Sequence, residues 1–177
     1  MEEVLMLGYT NKDIEDIYNS VETYKLETLL TKIKSIYFYF LENGYSNDDI
    51  LKISRKYLTI FRYDIENIDN KINGLKKIGY LDSDIKKMII SFPRIISLSI
   101  DNLNKKINDL ESIGFNRDDA LKITKAYPSI YGLSLEYLLK KEEEIILLGY
   151  DKISFIRMVK KFPSIYGLSV DYLDNKI

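Results

Sequence analysis

The chain has 177 residues, 46% of them hydrophobic and 30% charged, which is the composition of a globular protein of single-domain length. Its formal net charge is -1, and it contains no cysteine and no histidine, which excludes a disulfide framework, a zinc–thiolate site, a thiol nucleophile and a histidine general base. The near-neutral balance counts against strong non-specific binding to nucleic acid.

The predicted elements follow from a repeat. A glycine–aromatic pair stands at Gly8-Tyr9, Gly44-Tyr45, Gly79-Tyr80, Gly114-Phe115 and Gly149-Tyr150, at spacings of 36, 35, 35 and 35. Pro93, Pro128 and Pro163 are also 35 apart, and residues 128–134 recur unchanged at 163–169. The period predicts about five helix-pair units, roughly 8–43, 44–78, 79–113, 114–148 and 149–177, stacked in one α-solenoid domain because no single pair can bury its own apolar face.

In the first unit, Thr10 sits at the N-cap phase with Asp13 three residues later, where an oxygen-bearing side chain meets free backbone N–H groups. Glu22 occupies the proline phase, and the second helix is apolar nearly all round at Tyr37-Phe38-Tyr39-Phe40-Leu41, which reads equally as extra core or as a sticky end. The second unit has Ser46 and Asp49 as caps, Ile50, Ile53 and Tyr57 as apolar face, Leu58 in the proline phase and Ile60 in the turn. Its second helix is capped by Asp64, with Glu66 near the dipole and a stripe of Ile68, Ile72 and Leu75.

In the third unit Leu81 breaks the cap pattern, and Asp82 is expected to substitute. Ile85, Met88, Ile89 and Phe92 form the apolar face, Pro93 ends the helix, and Ser99 caps a stripe of Leu103, Ile107 and Leu110. The fourth unit repeats this with Asn116, Asp119, Pro128, Ile130 and Ser134, but Glu142 falls in the core phase without an evident reason. The fifth repeats it with Asp151, Pro163, Ile165 and Ser169.

In tetratricopeptide repeats the proline closes the second helix, whereas here it follows the first. The run Gly114-Phe115-x-x-Asp118-Asp119-Ala120-Leu121-x-Ile123, then Tyr127-Pro128-x-Ile130, then Leu133-Ser134-x-Glu136-x-Leu138, resembles the mitochondrial transcription termination factor (mTERF) repeat. The pattern recurs through residues 79–103 and 149–173 and, more weakly, 44–68. The resemblance implies an all-α superhelical solenoid, right- or left-handed, with short 3-10 turns between helices. It also implies a groove for duplex DNA or RNA and a role in transcription or translation.

Residues one period apart stack as columns. On the first helices Lys52, Lys87, Lys122 and Arg157 form an unbroken basic column, and Arg55, Lys125 and Lys160 form a second, broken at Ile90. On the second helices Lys71, Lys106, Lys141 and Lys176 form a third beside the apolar stripe. A ladder of cations suits phosphates along a nucleic acid. Lysine also favours exposed helix, and at a stripe edge its stem covers core, so a purely structural role is an equal expectation. The repeated aromatics Phe61, Tyr131 and Tyr166 share a phase with Ile96, which points to core rather than to base stacking.

The repeated serines and acids already have capping positions, so neither enzymatic activity nor a metal or cofactor is expected. No apolar run reaches membrane-spanning length, and Met1-Glu2-Glu3-Val4-Leu5 reads as neither signal nor Arg-rich transit peptide, so an intracellular, non-membrane location is expected. Met1 and Ile177 both fall midway along a second helix, and the stripes of Val4-Leu7 and Val170-Leu173-Ile177 predict head-to-tail self-association. The leading functional expectation is a nucleic-acid-binding repeat protein. The alternative is a protein-interaction scaffold or inhibitor using the concave face or an exposed end.

Overall fold

The computed structural model describes residues 1–21 and 24–169. These form ten α-helices: α1 (Glu2–Met6), α2 (Asn11–Val21), α3 (Leu26–Glu42), α4 (Asn47–Lys56), α5 (Ile65–Ile78), α6 (Asp82–Ser91), α7 (Ile100–Ile113), α8 (Arg117–Ala126), α9 (Leu135–Leu147) and α10 (Lys152–Lys161). Four 3-10 helices, Leu58–Arg62, Pro93–Ser97, Pro128–Gly132 and Pro163–Gly167, follow the first helices of the second to fifth repeats, and there is no strand among the described residues. The expected all-α repeat with 3-10 turns is what forms.

Local chemistry sets the boundaries. Ser46 and Asp49 make a reciprocal capping box, and Asn116, Asp151, Ser99 and Ser134 each accept from the backbone N–H three residues on. Thr10 and Asp13 exchange the same pair of bonds, at 3.1 and 2.8 Å. Repeat three differs from expectation. Leu81 itself occupies the N-cap with no side-chain bond, and Asp82, already inside the helix, pairs with Lys76 at 2.7 Å instead of capping. The glycines that end the second helices all have positive φ, 121° at Gly114, so any side chain there would be strained.

The chain divides into two compact units, Met1–Lys77 with Leu81–Ser97, and Ile78–Tyr80 with Leu98–Ile177. In the first, α2 packs on the 3-10 helix 58–62, α3 on α4, and α4 on α6. Its core includes Ile17, Leu29, Ile33, Phe40, Ile53, Ile60, Phe61, Ile68 and Met88, each essentially inaccessible. In the second, α7 packs on α8 and α9, and α8 on α10. There Ile107, Leu110, Ile123, Ile130, Leu138, Ile145, Phe155 and Val159 form one continuous cluster. Each such side chain contributes about 1.5–3 kcal/mol through burial.

Three open points resolve. The aromatic run of α3 splits, with Tyr37 and Phe40 buried while Phe38 and Leu41 stay exposed. Phe61, Ile96, Tyr131 and Tyr166 are all buried, as core. Glu142 is buried at its core phase because Lys152 reaches it from α10, at 2.5 Å. At the N-terminal end, Val4 is buried as α1 packs on α3. Val170, Leu173 and Ile177 lie outside the described residues, as does Lys176.

Candidate nucleic-acid interface

The structure sorts the three basic columns by what each cation touches. On the second helices, Lys106 and Lys141 are buried. Lys106 donates to the Leu133 carbonyl and sits 3.2 Å from Asp109; Lys141 donates to the Leu168 carbonyl at 2.9 Å and sits 2.6 Å from Glu144. Each lysine therefore reaches the carbonyl 27 residues on, just past the 3-10 helix of the next repeat. That carbonyl and the neighbouring carboxylate satisfy the ammonium, so these two buried residues join repeats. Lys71 is half-buried, and burial lowers its pKa. The expectation that this column presents charge to a polymer is corrected for Lys106 and Lys141, while Lys176 lies outside the described residues.

Two members of the second column, Arg55 and Lys160, are spent on acids at the caps. Arg55 forks onto Asp13, Nε to Oδ1 at 3.0 Å and Nη2 to Oδ2 at 2.9 Å, and Lys160 meets Asp119 at 2.9 Å. The Arg55 hydrogen bonds pull the Asp13 carboxyl down to about 2. Lys125 is exposed on the same phase of α8. The capping acids thus have a second task that the sequence did not suggest, holding a cation from the next repeat's first helix.

The first column is different. Lys52, Lys87, Lys122 and Arg157 are all exposed, and none is in an ion pair among the described residues. Lys52 and Lys87 stand on α4 and α6, which pack together in the first unit; Lys122 and Arg157 stand on α8 and α10, which pack together in the second. This is the column whose members all stay exposed and outside ion pairs.

Beneath them runs a buried hydroxyl pattern that periodicity alone did not reveal. The tyrosine of a glycine–aromatic pair reaches a small hydroxyl on the next repeat's first helix, Tyr9 to Ser54 at 2.7 Å and Tyr80 to Thr124 at 2.6 Å. Tyr80 also bonds Tyr131 at 2.6 Å. In the next copy the tyrosine and its small hydroxyl partner change together, to Phe115 and Val159, and the buried Tyr166 hydroxyl has no hydrogen-bond partner among the described residues. Burial raises the Tyr9 hydroxyl to about 12, and raises Tyr131 and Tyr166 as well.

No group of metal-binding side chains occurs among the described residues, and none of their helices is long and apolar enough to cross a membrane. The mTERF family model matches residues 7–110 and 66–177, together nearly the whole chain. The chain belongs to the mTERF family. An mTERF chain is a helical-repeat solenoid of a nucleic-acid-binding type, and the helix–3-10–helix order seen here is that repeat. Comparison with curated proteins gives no match.

Proposed function

We propose that this mTERF-family protein binds nucleic acid through the exposed first-helix cations Lys52, Lys87, Lys122 and Arg157, and acts in the regulation of transcription or translation. The observation carrying this reading is that these four cations keep their charge toward solvent, whereas Arg55 and Lys160 are ion-paired to cap acids and Lys106 and Lys141 are buried. Phosphate contacts of this kind supply affinity and register, not base specificity. Arg55, Lys125 and Lys160 flank the column, and the ion pairs of Arg55 and Lys160 with cap acids make those two weaker contributors. Family membership supports the same reading.

The test is fluorescence anisotropy with labelled duplex DNA, single-stranded DNA, duplex RNA and single-stranded RNA. Binding is expected at low salt, falling steeply with added salt, and lost when Lys52, Lys87, Lys122 and Arg157 are changed to Glu. Absence of binding to all four polymers rejects it. The second reading, a protein-interaction scaffold, is favoured by the net charge of -1 and by large exposed apolar side chains such as Met6 and Leu147, each more than 85% accessible.

A further inference from the structure

A groove in the first unit has Ile36 at the phase where its counterpart in the second has Lys106. It lies between α3 and the start of α5 and holds about 600 Å3. The corresponding groove between α7 and the start of α9 holds about 210 Å3. The two align by repeat phase. Tyr63-Asp64-Ile65 stand where Leu133-Ser134-Leu135 stand, and Ile36 precedes Gly44 by eight residues, as Lys106 precedes Gly114. In the smaller groove Lys106 lines the wall, and its ammonium meets the Leu133 carbonyl and the Asp109 carboxylate. In the larger one Ile36 is buried at that position and supplies no ammonium.

Tyr39 stands at the phase of Asp109, so the larger groove lacks that carboxylate but carries others of its own. Glu27 and Asp64 line it, with the rings of Tyr24 and Tyr63. Lys32 already shows how a cation sits there. Its Nζ is 3.0 Å from Asp64 Oδ1, 3.0 Å from the Tyr24 hydroxyl and 4.9 Å from the Tyr24 ring centre. Lys32 thereby neutralises Asp64, while Glu27 has no ion pair among the described residues. A carboxylate beside aromatic faces is the pairing that selects alkylammonium ligands.

We propose that this groove binds a primary alkylammonium group, supplied by a free polyamine or by a lysine side chain of a peptide. The ammonium meets Glu27 and the end of the 3-10 helix at Tyr63, the counterpart of Leu133. The alkyl stem lies along Ile36 and the tyrosine rings, replacing from outside the lysine that other repeats carry within. This site is independent of the nucleic-acid reading.

The experiment titrates the full chain by calorimetry with spermidine, with Nα-acetyl-lysine methylamide, and with butanediol as an uncharged control. One-to-one saturable binding of an amine is expected, with none of the diol. Glu27→Gln should weaken it about tenfold. Ser35→Trp, from an exposed position on the groove wall, should abolish it, and Thr28→Trp repeats the block from a second exposed position should the first variant misfold. Ile36→Lys should also abolish it by filling the groove as Lys106 does. Binding of spermidine alone identifies a free polyamine, and binding of the lysine derivative identifies a protein lysine; either supports the site. No saturation by either amine at ~10 mM overturns it. So does amine binding that persists unchanged in Glu27→Gln or in a folded tryptophan variant.

Discussion

At the residue scale, two polar contacts make distinct predictions. Thr124 is fully buried and its hydroxyl meets Tyr80, which in turn meets Tyr131. Thr124→Val keeps the shape but removes one partner of a buried hydroxyl pair, so chemical denaturation should show a loss of about 1–2 kcal/mol. Asp13 is held near 2 against an ordinary 3.8 by Arg55, so its ionised form is favoured by folding. Its contribution is fully present above about pH 4 and is lost as pH falls toward 2. Arg55 is half-exposed, so solvent screens the pair and Asp13→Asn should cost about 1 kcal/mol at neutral pH. In denaturation measured across pH, the variant's stability should fall less than the parent's between pH 4 and pH 2.

At the scale of elements, helix ends and seams between repeats decide stability. α6 is the one first helix from the third to the fifth repeat whose N-cap, Leu81, offers no side-chain oxygen, and Leu81 is 69% exposed. Leu81→Ser should raise stability by about 1 kcal/mol, read as a higher denaturation midpoint with unchanged slope. Lys106 makes the opposite case. Lys106→Met keeps the stem but leaves Asp109 buried beside only Lys105, at 3.5 Å, and the Leu133 carbonyl without its donor. A loss of about 2–4 kcal/mol is expected, and little change in nucleic-acid affinity once folding is allowed for. A large affinity loss in the folded variant would return Lys106 to the interface.

At the scale of the molecule, a net charge of -1 and nucleic-acid binding are compatible because many charges are engaged locally, as caps and ion pairs. A polymer then meets only the cations left open. If all four first-column residues contact phosphate, log affinity should fall with log salt at a slope of roughly -3 to -4. Each single change to Glu among them should reduce that slope by about one. A slope near zero alongside measurable binding would point to contacts other than phosphate.

The helix-pair repeat, most of its caps and its family were legible in the sequence. Each depends on short-range chemistry copied every 35 residues: caps at Ser46 and Asn116, proline after the first helix, glycine after the second. The basic columns were legible as patterns, but their roles were not. Lys87 and Lys106 each belong to a column of cations that recurs every 35 residues, yet one is exposed and the other is sealed against the next repeat's carbonyl. Glu142 looked like an error until Lys152 was placed beside it. Side-chain fate depends on what the neighbouring repeat brings within a few ångströms, and that distance is set by how helices pack. Periodicity determined which residues recur; only the tertiary structure decided which of them are satisfied internally and which remain for a partner.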